Sequence, residues 1–176
     1  YKMGASFLGN VAYYAFVVIL GLLVQFFVVY GLALRTIART SPFSFFNMVA
    51  DSPPIVMFAP SGLKPDGSPK DSLRNVEAVG AFVVNLATWD LREQMNATSA
   101  RLPAGVNEAE VAGLEMVPST IVAPPRVKAS PVALECRYLK SVVLPSLDPA
   151  EPNTVLFGDV VGVHVADHLI ENGRVD

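Results

Sequence analysis

Between Met3 and Leu34 no side chain carries a charge. A surface meant for water needs such groups, so this absence excludes an ordinary water-facing start to the chain. Cysteine is nearly missing too. Cys136 stands alone, which rules out a disulfide within the chain and a thiolate zinc cluster. Positive charge is in short supply: 13 Lys and Arg against 16 Asp and Glu leave a net charge of −3. The basic residues after Arg39 are scattered, so no cationic face is available to displace the counterions of a nucleic acid. No catalytic triad and no metal constellation is visible in the spacing of the rest.

What is present divides into two regimes. The chain has 176 residues, 52% of them hydrophobic and 16% charged, and the apolar excess sits in the first 34. As a helix, Val11 to Leu34 would extend about 36 Å at ~1.5 Å per residue, enough to cross a ~30 Å hydrocarbon layer with some tilt. Tyr13 and Tyr14 at one end and Tyr30 at the other suit the two interfaces. Arg35 and Arg39 after the span, against Lys2 before it, favour a cytoplasmic C-terminal side. The run exceeds the ~7–15 apolar residues of a signal peptide. A buried helix of a larger soluble assembly is the alternative, and Gln25 fits a helix–helix contact in either case. The expectation is a membrane-spanning helix over residues 1–40 and a water-soluble domain over 41–176. The soluble part would be held at the membrane on the cytoplasmic side, or would be simply cytoplasmic if the first segment is not a span. Opening on Tyr1, the chain reads as a piece of a longer one.

The soluble part is rich in strands. Ile55 to Ala59 after Pro53-Pro54 reads as a buried strand, and Pro60 to Pro69 as a loop. Asp71 suits the N-cap of a helix carrying Leu73, Val76 and Val79 on one face, with Gly80 as its stop. Ala81 to Leu86 is a second strand. Asp90 suits the cap of a short helix to about Met95, left by the polar turn Asn96 to Ser99. Asn107 to Ala112 makes a further helical turn. Val132 to Leu144 alternates, with Leu134, Cys136 and Tyr138 on one face and Glu135 and Arg137 on the other, as in a half-buried strand. Thr154 to Val165 is another long strand, with Gly158, Gly162 and His164 on a common face where something flat or another backbone comes close. Strands with interspersed short helices suggest an α+β arrangement around a β-barrel.

Three polar stretches stand out. Ser44, Phe45, Phe46 and Asn47 set hydrogen-bonding groups around two aromatics. Lys70, Asp71 and Ser72 open a helix, where free N–H groups and the helix dipole favour an anion such as phosphate. Asn96, Thr98 and Ser99 form the third. Each also has a plain structural reading: a satisfied turn, a solvated cap, a helix exit. Trp89 reads as packing, His168 as a loop residue and Cys136 as a small core hydrophobe.

Taken in order, the segments carry a resemblance. They are Ser41-Pro-Phe-Ser-Phe-Phe-Asn47, Pro53-Pro-Ile-Val-Met-Phe58, Lys70-Asp-Ser-Leu-Arg-Asn-Val-Glu77, Phe82-Val-Val-Asn-Leu86 and Met95-Asn-Ala-Thr-Ser99, then Pro125-Arg-Val, Ser130-Pro-Val-Ala-Leu-Glu-Cys136 and Gly158-Asp-Val-Val-Gly-Val-His164. Together they closely resemble the flavin reductase-like family of FMN-binding split barrels, over residues 41–176. The earlier segment, Val17 to Gly31 with the following Leu-Arg-Thr, resembles a helix of sodium:dicarboxylate symporters, which would make the chain a fusion.

The resemblance implies a dimeric antiparallel split β-barrel with FMN near the subunit interface, FAD being possible, and NAD(P)H as co-substrate. It places Ser44, Phe45, Phe46 and Asn47 along the isoalloxazine edge, and Ser61, Lys70, Asp71 and Ser72 at the phosphate. Asn96 and Ser99 border the pocket, and His164 is the catalytic candidate near the reacting ring. No metal is implied. Family members carry a further strand and hairpin before the Pro-Phe-Ser-Phe-Phe-Asn stretch. Here the lipid-type helix stands in their place, so the barrel is expected to lack its N-terminal strands. The implied function is hydride transfer from NAD(P)H to flavin. The alternatives are a non-catalytic flavin-binding or electron-carrier split barrel, and a non-functional fusion product.

Overall fold

The structure is a computed structural model that describes residues 26–30, 39–43, 45–60, 62–64, 67–100, 106–148, 150 and 152–175, the first two stretches by backbone alone. In chain order the elements are β1 (Phe26–Tyr30), β2 (Arg39–Phe43), β3 (Phe46–Asp51), β4 (Pro54–Phe58), α1 (Asp71–Val79) and β5 (Ala81–Leu86). A 3₁₀ turn (Trp89–Leu91), α2 (Arg92–Thr98), α3 (Glu108–Val111), β6 (Met116–Val117) and β7 (Arg126–Val127) follow. The long strands β8 (Val132–Leu144) and β9 (Asn153–Val165) come next, then a second 3₁₀ turn (Asp167–Leu169), β10 (Ile170–Glu171) and β11 (Arg174–Val175).

Seven strands form one antiparallel sheet in the order β2-β1-β5-β8-β9-β4-β3. Strand β5 is buried along its whole length, from Ala81 to Leu86. Because successive side chains leave a strand on opposite faces, β5 feeds two cores. Val83 joins Ala87, Leu91, Met95, Ala109, Leu114, Val127 and Ala133 on one side. Phe82 and Val84 join Val56, Phe58, Val76, Leu134, Cys136 and Leu156 on the other.

The expected long apolar helix is corrected by β1. Phe26-Phe-Val-Val-Tyr30 lies inside the predicted span, yet it is a strand, paired with β2 from Phe26↔Phe43 to Tyr30↔Arg39 and with β5 from Phe26↔Leu86 to Val29↔Val83. An apolar run of β-branched and aromatic residues suits a strand buried between neighbours as well as a helix in lipid, and pairing decides between them. The sheet therefore has N-terminal strands, β1 and β2, where the sequence suggested none. Tyr13, Tyr14, Gln25 and most of the proposed symporter-like segment lie outside the described residues. Among the described residues no helix is long and apolar enough to cross a membrane.

Helix α1 begins one residue earlier than expected: Lys70 holds the N-cap position, and Asp71, the expected cap, is the first helical residue. Gly80 ends it as expected, with φ 72° and its N–H donating to Val76 O at 2.8 Å. Helix α2 runs on through Asn96 and Thr98, so the predicted exit turn is its last turn. Trp89 is not core: it is 78% exposed, with the Arg92 guanidinium 4.6 Å from its ring centroid.

Two bulges shape the β8–β9 hairpin. Cys136 faces Val160 and Glu135 faces Gly162, so Val161 is an extra residue on β9. A second register shift falls between Tyr138 and Lys140. The extra residue at Val161 reverses the alternation that the sequence suggested. Gly158 faces the Phe82 core, where an added Cβ would stand 2.4 Å from the ring. Gly162 and His164 turn to the other face.

Candidate functional site

Glu135 is the one acidic residue in the buried stretch of β8, and it is 0% exposed. The alternating pattern predicts it on the polar face of a half-buried strand. In the structure both faces of this part of β8 are covered, because the segment 118–125 folds back over Glu135. The carboxylate holds that segment through three backbone donors: Thr120 N–H to Oε1 at 2.7 Å, and Ile121 and Val122 N–H to Oε2 at 2.6 and 2.9 Å. His164 Nε2 donates to Oε1 as well. Burial pushes the Glu135 carboxyl up, but the hydrogen bonds from His164, Thr120, Val122 and Ile121 outweigh it and hold the group down at about 2. Gly162 keeps the space clear: a Cβ there would meet Ile121 Cδ1 at 3.0 Å and Glu135 Cβ at 3.5 Å.

His164 also lines an open pocket of about 400 Å³, together with Arg126, Lys128, Ser130 and Asp167. The pocket sits where β7, the start of β8 and the end of β9 converge. Ser130 Oγ lies 2.9 Å from Leu86 O and 2.7 Å from Val132 O, and Ala166 N–H donates to Pro131 O at 2.8 Å. These bonds fix the rim. Lys128 Nζ is 2.7 Å from Glu115 Oε1. Strand β7 is tied to the sheet by Val127 N–H, which donates to the buried Asn85 Oδ1 at 2.9 Å.

The other predicted residues fall in two places. Phe46 and Leu73 pack against the same core, the one built on Phe58 and Phe82, which brings Phe46 and the start of α1 to one side of the sheet. Phe45 is 62% exposed and its carbonyl accepts from Ala59 N–H at 3.0 Å. Asn47 Oδ1 accepts from Met48 N–H at 2.9 Å. Asp71 Oδ1 receives both Lys64 Nζ at 2.8 Å and Arg74 Nη2 at 2.7 Å. Lys70 forms no ion pair among the described residues, and Ser72 is buried. Asn96 lies on α2 and Ser99 at its C-cap, and the helix packs against the opposite core through Met95. Ser99 Oγ donates to Asn96 O at 2.6 Å, so this hydroxyl serves its own helix end. Ser44 and Ser61 lie outside the described residues.

Sequence reasoning gives no role to Glu135, Arg126 or Lys128, although the Pro125-Arg-Val and Ser130 to Cys136 segments stand out in it. A single Glu inside an apolar strand is the available signal, since a buried carboxylate requires partners. Cys136 is fully buried, and burial with the negative charges of Asp159 and Glu135 pushes its thiol up, away from thiolate chemistry. Among the described residues no cluster of His, Cys, Asp and Glu could hold a metal ion.

Known proteins share this architecture. Residues 30–175 match the flavin reductase like domain. An uncharacterized protein of Halalkalibacterium halodurans is 36% identical over 140 residues, 80% of this chain and 66% of the relative. Another, from Deinococcus radiodurans, is 35% identical over 130 residues, 74% of this chain and 54% of the relative. The chain thus spans less than two thirds of either relative. The crystal structure of nitrilotriacetate monooxygenase component B from Bacillus cereus superimposes with a TM-score of 0.77 at 30% identity, covering 93% of this chain and 81% of that one. The similarity is to flavin reductase-type domains, with nothing in support of a symporter segment. With a match over residues 30–175 and the same fold in place, the chain belongs to the flavin reductase-like domain family.

Proposed function

We propose that the protein is a flavin-binding oxidoreductase of the flavin reductase type, which transfers a hydride from NAD(P)H to FMN. The observation that carries this reading is the family match over residues 30–175. The donor set at the start of α1 suits the phosphate of FMN. Lys64 and Arg74 both pair with the Asp71 carboxylate, and Lys70 next to it in sequence adds a third cation, so these four side chains carry a net charge of +2. Asp71 holds Lys64 and Arg74 in place while Lys70 stays available. First-turn N–H groups and the helix dipole add to the attraction for an anion. Lys70 and Ser72 are therefore assigned to the phosphate, and Phe45, Phe46 and Asn47 to the ring edge. Asn96 and Ser99 are left out of this set because α2 packs on the opposite core.

His164, held by Glu135 on the face opposite the Phe46 side, falls outside this set as well. When bound, the flavin supplies the hydride chemistry, and the chain has to bind it, align it and exclude water. That division of labour requires no acid–base pair from the protein. The reading further takes the protein as a homodimer in the cytoplasm.

The test is to purify the protein, titrate it with FMN and then add NADH or NADPH. Quenching of FMN fluorescence followed by oxidation of the nicotinamide supports the reading. Quenching without turnover makes the protein an electron carrier instead. Fluorescence unchanged on adding the protein ends both.

A further inference from the structure

Arg126 lacks what a shielded polar group requires. Its Nε is closed off from solvent, and no described residue accepts a hydrogen bond from it. Arg126 also forms no ion pair among the described residues. The other polar groups of the same pocket are engaged. Lys128 is held on Glu115, Ser130 on backbone carbonyls and His164 on Glu135. The pocket is therefore lined by one half-buried positive charge with no counter-charge among the described residues. Asp167 lines the pocket too, but it is exposed to water and does not pair with Arg126.

The remaining lining is apolar, from Pro131, Val163, Val165 and Ala166. The volume of about 400 Å³ lies in the range of small-molecule sites. A guanidinium matches a carboxylate in shape, two parallel N–H donors to two oxygens. A single free cation with a carboxylate nearby suits one negative charge better than two.

We infer that this pocket binds a small organic monoanion, with its carboxylate received by Arg126 and its apolar body laid against Val163 and Val165. The site is separate from the phosphate position assigned at α1 and does not depend on the flavin reading.

The test uses the whole ¹⁵N-labelled chain without flavin, at neutral pH. Benzoate, its uncharged isostere benzamide, and inorganic phosphate are titrated separately, following the Arg126 Nε–H signal and the Val163 and Val165 amides. Benzoate should shift these signals saturably, binding about tenfold more tightly than benzamide, as a charge-assisted pair requires. Phosphate should bind more weakly than benzoate. Arg126→Lys keeps the charge but loses the fork, and should weaken benzoate about fivefold, read at the two valine amides. Asp167→Asn changes an exposed residue, leaves the fold intact and should tighten benzoate about two- to threefold. Equal binding of benzoate and benzamide would overturn the proposal. So would phosphate binding as tightly as benzoate, the absence of saturable shifts, or shifts indifferent to both substitutions. Because no flavin is in the sample, failure of the flavin reading leaves each of these outcomes readable.

Discussion

His164 meets the Glu135 carboxylate because β9 carries one residue more than β8 at this point, Val161. Without that bulge His164 would share a face with Gly158 and Val160 and point toward the Phe82 core. With it, His164 becomes the fourth donor to a carboxylate that already holds three backbone N–H groups of the segment 118–125. One buried charge thus fixes both a loop and a pocket side chain.

Glu135→Gln should be strongly destabilising. The amide keeps the size but loses the charge and turns an NH₂ toward groups that are themselves donors. A loss of about 2–4 kcal/mol is expected from urea unfolding, with faster amide exchange at Thr120, Ile121 and Val122. His164→Ala should have the smaller effect, since three backbone donors remain. Equal losses for the two substitutions, or the reverse order, would mean that the imidazole and not the loop backbone is the main partner of the carboxylate.

Acid should weaken the fold through the same group. The Glu135 pKa in the folded protein, about 2, lies below its ordinary value of 4.5. Between these values the unfolded chain binds more protons than the folded one. The stabilisation is therefore complete above pH 4.5 and lost as pH falls toward 2. The whole contribution is on the order of 3 kcal/mol. Urea midpoints measured in steps from neutral pH downward should show this slope in the wild type and a flatter one in Glu135→Gln.

The two glycines of β9 should respond differently to alanine. At Gly158 the new Cβ would fall 2.4 and 2.5 Å from two atoms of the fully buried Phe82 ring. Overpacking of that kind costs about 1–3 kcal/mol or more. At Gly162 the nearest atom is the end of the Ile121 side chain at 3.0 Å, which can move, so a loss below about 1 kcal/mol is expected. Combining Gly158→Ala with Phe82→Leu should be less damaging than the sum of the two, by about 1 kcal/mol or more, in a double-mutant cycle. Strict additivity would mean that the ring is not what Gly158 accommodates.

Lys70→Ala separates the phosphate assignment from general flavin affinity. If Lys70 holds the phosphate, the substitution should raise the dissociation constant for FMN about tenfold, the worth of one charge-assisted bond. Riboflavin, which lacks the phosphate, should bind both proteins equally. Fluorescence quenching measures both, and a parallel loss for the two flavins would move the phosphate elsewhere.

Local signals carry much of this fold. The apolar runs of β4 and β5, the alternation in β8 and β9, and Gly80 as a helix stop are legible because each depends on neighbours a few residues away. What escapes depends on distant partners. Glu135 looks solvent-facing in the sequence, and its burial comes from a segment some 14 residues earlier folding back across it. The extra residue at Val161 has no mark in the sequence, so the face on which His164 lies is misread from alternation alone. Phe26 to Tyr30 reads as helix because only β2 and β5, one after it and one much later, make it a strand. At the site, Asn96 and Ser99 look like free polar groups, whereas Ser99 closes its own helix on the Asn96 carbonyl. Arg126 sits inside a recognisable segment, but its unmatched guanidinium Nε is visible only once the pocket around it has formed.

The complete burial of β5 has a mechanical corollary. Each hydrophobic cluster leans on alternate residues of one six-residue ribbon, so neither can loosen while that ribbon stays rigid, and neither survives its release. Heating should give a single calorimetric peak. A ligand seated on one flank should raise the temperature at which the other flank melts by the same amount.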